Sequence, residues 1–209
     1  MYTLQKLIIE ALSISIPAVV IFECFYPYRK RALKAMELRS TAYREVGLII
    51  FVLTIFGILA VTLWPIYISR NNDGIWGDIV LLTARPSLSY NVNLIPFRGT
   101  LDFVETIRSG NIVLIISGVV NIVGNMAMFI LVGFFPALLF RHPTLKRSLL
   151  IGLSISLLIE ICQYFIGRTV DIDDVILNTL GATCGYVIYM LIVQIWPEVC
   201  QKFQCVSNK

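Results

Sequence analysis

Five apolar stretches, at about 7–25, 46–67, 113–140, 148–166 and 175–196, constrain this 209-residue chain more than any other feature. Each approaches the ~20 residues that a helix needs to cross a hydrocarbon core of about 30 Å. Hydrophobic residues make up 57% of the chain and charged residues 14%, with a mean hydropathy of +0.82, which excludes an ordinary water-soluble domain. Backbone polar groups in lipid must be satisfied within the spanning element, so the apolar stretches become helices. The expected fold class is therefore all-α: a polytopic membrane helical bundle of about five transmembrane helices. The first stretch, Leu7 to Phe25, is too long for a signal-peptide core, contains Glu10 and Glu23, and ends in no small-residue cleavage pattern. It is expected to be retained.

Charge placement orients the bundle. The segment between the first two stretches carries Arg29, Lys30, Arg31, Lys34, Arg39 and Arg44; Arg141, Lys146 and Arg147 follow the third, and Lys202 and Lys209 lie in the tail. One side thus holds eleven of the 17 basic residues. Excess Lys and Arg mark the cytoplasmic side, which puts the N-terminus outside and the C-terminus inside. The net charge of +4 is an orientation signal of this kind, and nucleic acid is not an expected partner. The long segment Ile68–Ile112, between spans two and three, then faces outward with balanced charge. Its short apolar piece WGDIVLLTA is expected to lie on the membrane as an interfacial helix. Three regions result: 1–45, a first helix and basic loop; 46–196, the membrane domain; and 197–209, a cytoplasmic tail.

Polar residues inside apolar stretches are the informative ones, because each costs at least a few kcal/mol in hydrocarbon unless it faces protein or water. The third stretch carries Asn121 and Asn125, the fourth Glu160 and Gln163, and the fifth opens with Asp171, Asp173 and Asp174 and carries Asn178 one turn inside. Counted from the basic ends at 1.5 Å per residue, Glu160 lies roughly 20 Å up, Gln163 and Asn125 about 24 Å, and Asn178 about 28 Å. Three spans thus place carboxyl or amide groups at one depth, in the outer half of the membrane. A shared polar pocket opening outward accounts for this. Gly181 and Gly185 form a GxxxG face for close helix packing, and Gly124 and Gly133 are also expected to be packing residues.

Two readings stand beside each other at the candidate positions. Glu160 is either a structural partner of Arg168 or Arg98, or an acid–base group. Asp171, Asp173 and Asp174 either cap the last helix or, as clustered hard oxygens, hold a divalent cation. The metal is the weaker alternative, and no other cofactor is expected. The five cysteines make no metal-ligand pattern and are read as free thiols, and His142 as a solvated loop residue.

The motifs NLIPF (Asn93–Phe97), NIVGNMAMFILVGF (Asn121–Phe134), EICQ (Glu160–Gln163) and GRTVDIDDVILNTLGATCGY (Gly167–Tyr186) resemble those of the VanZ-like membrane proteins over roughly residues 45–195. The last block is the most specific: Arg168, Asp171, Asp173, Asp174, Asn178, Gly181 and Gly185 match position for position. Asn125, Phe129 and Gly133 match the third-span pattern, and Asn93, Pro96 and Phe97 the outer-loop pattern. One departure is Leu131, where family members commonly have a proline; its loss removes a kink rather than a functional group. The first helix and basic loop look like an N-terminal extension.

The resemblance implies a multi-pass plasma membrane protein associated with teicoplanin resistance and hence with cell-envelope precursors. The expected ligand is an amphiphile: a lipid-linked wall precursor, a lipoglycopeptide or a lipid headgroup. Its binding residues are expected to be Asn93, Arg98, Asn125, Gln163, Arg168, Asp171, Asp173 and Asn178. Any reaction would be carboxylate-based, through Glu160 or Asp174, since the outer side offers nothing resembling an activated Ser, Cys or His nucleophile. The alternative is a structural or transport protein whose polar residues are interhelical contacts or a path for a solute or proton.

Overall fold

The computed structural model describes residues 2–63, 92–166 and 168–207. Its order is α1 (Tyr2–Ala35), β1 (Leu38–Arg39), α2 (Ala42–Leu63), β2 (Val92–Asn93), α3 (Arg98–Ser109), α4 (Ile112–Leu139), α5 (Leu145–Phe165), β3 (Val170–Asp171), α6 (Ile172–Ile195), α7 (Pro197–Lys202) and β4 (Val206–Ser207). The chain is an all-α membrane bundle. Among the described residues, four helices are long and apolar enough to cross a membrane: α2, α4 from Asn121, α5 and α6. The first of the five expected spans falls within α1, and the WGDIVLLTA piece lies outside the described residues.

The long helices alternate in direction, which gives the bundle two chemically distinct ends. At the basic end, the α1–α2 turn, the α4–α5 turn and the tail come together. Here β1 pairs antiparallel with β4, Thr41 Oγ1 donates to the Lys202 carbonyl at 2.6 Å, and the Arg44 guanidinium reaches the last carbonyl of α4, Leu139. Arg29 stacks 4.1 Å over the Phe22 ring and pairs with Glu45 at 3.0 Å, tying α1 to α2. Beneath this end, Ala137, Leu138, Tyr189 and Cys200 form a buried cluster with Phe203 packed against it. Burial pushes the Cys200 thiol above its ordinary range, and the cysteines of the chain are free. His142 is exposed, as expected for a loop residue.

The bundle centre is held by Ile58, Phe129, Val132 and Ile159, contributed by α2, α4 and α5. Lipid offers no hydrophobic drive between helices, so association depends on close packing. Glycine supplies it between α4 and α6. A Cβ at Gly133 would fall on the Ala182 carbonyl, one at Gly181 on the Met126 carbonyl, and one at Gly185 on the Ile130 carbonyl. Gly124 differs from expectation: among the described residues a Cβ there would meet nothing within 4 Å, so no close approach at this position requires a glycine. The Leu131 departure leaves α4 continuous from Ile112 to Leu139, with a buried proline, Pro136, further along.

These contacts make an asymmetric prediction. Gly185→Ala sets a methyl against backbone atoms (Phe134 N lies 2.7 Å from the built Cβ), so the helices must separate. Overpacking of this kind costs about 1–3 kcal/mol. Gly57→Ala in α2 meets nothing within 4 Å and gains helix propensity of about 1 kcal/mol. Thermal unfolding in detergent is expected to show a lowered Tm for the first variant and an unchanged or raised one for the second.

Candidate functional site

The end opposite the basic one is built around the stretch Asp171–Asp174. Asp171 has extended backbone (φ −130°, ψ 121°) and caps α6, its side chain accepting from the Asp173 N–H at 2.9 Å. Asp173 and Asp174 then occupy the first turn, where the helix dipole favours negative charge. One cap needs one carboxylate, and each of the others has a separate partner.

Asp173 reaches out of its own helix and caps α3. Its Oδ1 accepts from the Phe97 N–H and its Oδ2 from the Thr100 N–H at 3.2 Å. That service is needed, because the residue at the α3 N-cap, Phe97, offers no side-chain acceptor and sits in the left-handed region at φ 65°. A left-handed bulky residue is held only where its surroundings over-determine it. Gly99 permits the approach: a Cβ there would stand 3.2 Å from Asp173 Oδ2 and 3.4 Å from Asp171 Oδ2. Asp173 itself is buried.

Asp171 binds the loop a second way. β2 and β3 pair in parallel, Val92 opposite Val170 and Asn93 opposite Asp171, and Asn93 Nδ2 donates to Asp171 Oδ1 at 2.9 Å. Asn93 Oδ1 accepts from the Ile95 N–H at 3.2 Å, which turns the chain into the NLIPF motif. Asp174 instead faces α4 and accepts from Asn125 Nδ2 at 2.7 Å. Glu160, 5% exposed on α5, accepts from the Asp171 N–H at 3.0 Å. One turn deeper, Asn178 Nδ2 donates to Ser156 Oγ at 2.9 Å within the bundle.

The basic and amide candidates divide. Gln163 Nε2 (3.2 Å) and Arg168 Nη1 both donate to the Thr62 carbonyl, so together they satisfy an orphan carbonyl in the last turn of α2. Neither guanidinium, Arg168 or Arg98, forms an ion pair with a carboxylate of the cluster; among the described residues the ion pair is Arg29–Glu45, at the other end. The hydrogen-bond partner of Glu160 is a backbone amide, and Arg168 acts on it through charge without forming an ion pair. Arg98 is exposed at the start of α3 and stands apart from the hydrogen-bonded cluster. Oxygens of Asp171 and Asp173 are engaged by N–H donors, and among the described residues no three His, Cys, Asp or Glu side chains are arranged to hold a metal ion.

Two features went unseen in the sequence. Ser156 is four residues before Glu160 on the same helix face, a spacing that could have found it. The Thr62 carbonyl, a backbone group, leaves no side-chain signal. A third feature flanks the cluster: a groove of about 340 Å³ between α5, α6 and the NLIPF loop. Its walls are Leu157, Ile161 and Phe165 from α5, Ile172 and Val175 from α6, and Leu94 from the loop; Glu160 and Asp171 border it. Phe165 is 79% and Leu94 67% exposed, so the groove is open along the flank of the bundle. Residues 157, 161 and 165 share a face, adjacent to the 156, 160 and 163 face that carries the polar groups.

The profile of the VanZ/LLP1 family matches residues 48–193, which span α2 to α6 and every residue of this cluster. The chain belongs to the VanZ/LLP1 family. No individual curated protein and no solved structure matches it significantly. The match begins just inside α2, so α1 and the basic turn lie outside the VanZ/LLP1 region, and it ends before α7.

Removing the trans-cap isolates its role. Asp173→Ala takes both acceptors from the α3 N-terminus, and loss of a cap costs roughly 1 kcal/mol, with a second buried bond adding about as much. Limited proteolysis in detergent is expected to cut this variant within residues 98–109 while the long helices stay protected. Asp173→Asn keeps a carbonyl acceptor and is expected to be cut more slowly than Asp173→Ala.

Proposed function

We propose that this VanZ/LLP1 protein binds an amphiphile of the cell envelope at its polar end, and that this binding contributes to resistance to teicoplanin-type lipoglycopeptides. One observation carries the reading: an apolar groove along α5 and α6 ends at a dense layer of buried polar groups. Ligand pockets commonly start at about 300 Å³ with apolar walls and a few placed polar groups, and the groove's ~340 Å³ falls at the narrow end of that range. From Leu157 to Phe165 it runs about 12 Å along the helix axis, long enough for part of one hydrocarbon chain. A lipid-linked wall precursor, a lipoglycopeptide and a membrane lipid all present a chain beside a polar headgroup.

The polar end faces outward in this reading. The basic end carries Arg29, Lys30, Arg31, Lys34, Arg39, Arg44, Arg141, Lys146, Arg147 and Lys202, and the plasma membrane's cytoplasmic side is where such an excess belongs. Roles within the cluster separate accordingly. Asp171, Asp173 and Asn93 hold the NLIPF loop and α3, which is the interhelical-contact role for those residues. Glu160 borders the groove, its carboxylate turned to the Asp171 N–H. With single cysteines in a cysteine-free background, position 98 is expected to react with an impermeant maleimide added to intact cells and position 34 only after permeabilisation. Labelling of position 34 from outside would place the groove on the wrong side.

Function is tested by closing the groove without touching the polar layer. Leu157→Trp fills it from a residue that is 42% exposed, whereas Val187→Trp, on α6 outside the groove and 49% exposed, leaves it open. Cells expressing Leu157→Trp are expected to lose teicoplanin protection down to the vector level, at unchanged membrane abundance and Tm; Val187→Trp cells keep it. Equal protection from both variants would sink the groove reading.

A further inference from the structure

We propose that α3 is an interfacial helix: its face of Leu101, Val104 and Ile107 lies in the phospholipid leaflet at the polar end of the bundle, where headgroups meet acyl chains. The partner of this face is the lipid surface itself, and nothing in the proposal depends on the groove or on what the groove holds.

The helix has two exposed faces of opposite character. Leu101, Val104 and Ile107 are exposed and, at about 100° per residue, share an arc of about 120°. Arg98, Asp102 and Glu105 are exposed on a second arc. Phe103 lies outside both arcs and turns to the bundle: a Cβ at Gly118 of α4 would fall on its ring. A surface helix normally turns its apolar stripe to the core. Here three apolar side chains look outward instead. The charges of α3 cancel, Arg98 and Arg108 against Asp102 and Glu105. Burial of apolar area, rather than attraction to anionic lipid, is then the force that holds α3 on a membrane.

α3 is held in this attitude at three points. Asp173 accepts from the N–H groups of Phe97 and Thr100 at its start, and Phe103 sits against Gly118 in its middle. Gly110, left-handed at φ 70°, ends the helix and turns the chain towards α4. The apolar arc cannot roll onto the bundle while these contacts stand.

Depth supplies the partner. Leu139, whose carbonyl meets Arg44, marks the basic end of α4. Gly118 lies about 32 Å above it at 1.5 Å per residue, against a hydrocarbon core of about 30 Å. α3 therefore meets α4 at the level where hydrocarbon gives way to headgroups. One apolar stripe of α4 stays exposed up to this level: Leu131 and Val123 within the spanning part, then Val119, Ile116 and Ile112. Val119 and Ile116 stand on either side of Gly118 in the sequence. The lipid-facing surface of the span thus continues past α3 rather than ending below it.

Spin labels on the full chain in bilayers test this. Val104→Cys, Ile107→Cys, Asp102→Cys and Glu105→Cys are made singly in a cysteine-free background, checked for helicity and Tm, labelled with a nitroxide and reconstituted into phosphatidylcholine. Collision with oxygen, which partitions into lipid, is compared with collision with a water-soluble nickel chelate. Labels at 104 and 107 are expected to favour oxygen severalfold, at a depth of about 5–10 Å into the headgroup–acyl boundary, while those at 102 and 105 favour the chelate. Preference for the chelate at all four positions sets α3 in water and overturns the proposal. Shielding of 104 and 107 from both reagents means that protein covers the face, another segment of this chain or a second copy, and overturns lipid as its partner. Added phosphatidylglycerol is expected to leave the depths unchanged; immersion that appears only in its presence overturns apolar burial as the cause.

Discussion

The backbone-to-backbone approach of α4 and α6 is the contact on which the polar end depends. Gly133 lies against the Ala182 carbonyl, and Gly181 and Gly185 lie against the carbonyls of Met126 and Ile130, so no side chain separates the two helices along this seam. In hydrocarbon that proximity replaces the hydrophobic drive that would gather helices in water. It also sets a distance. With the helices this close, Asn125 on α4 reaches Asp174 on α6 at 2.7 Å. Any added methyl on the seam moves the polar partners apart together.

Close packing alone would leave the loop before α4 free. The DIDD run solves this with three carboxylates on three different errands: Asp171 to its own helix and to Asn93, Asp173 to the α3 N-terminus, Asp174 to α4. Each bond joins α6 to a different piece of the fold. The carboxylates are met mainly by N–H donors, while Arg168 Nη1 donates to the Thr62 carbonyl at the end of α2. α3 is then held across the mouth with Leu101, Val104 and Ile107 exposed at three-residue spacing, an amphipathic pattern suited to an interface between water and lipid.

The lateral groove is a by-product of the same arrangement. Pinning the NLIPF loop to β3 brings Leu94 over the gap between α5 and α6, and Glu160 is drawn to the Asp171 N–H at its edge. An apolar groove thus borders the polar layer at Glu160 and Asp171.

Much was legible in the residues themselves. Apolar stretches of spanning length required a helical membrane bundle; Gly181 and Gly185 marked a packing face, and Asn125, Glu160, Gln163 and Asn178 marked a common polar depth, because lipid tolerates such groups only when they meet partners. The run of Lys and Arg separated the two ends. The sequence could not say which oxygen meets which donor. That Asp173 serves another helix's backbone, that Arg168 and Gln163 share the Thr62 carbonyl, and that α3 forms around a left-handed Phe97 follow from backbone groups brought together across 70 or more residues. Backbone amides are identical at every position, so only the tertiary structure could decide where they would be left without partners and which side chains would supply them.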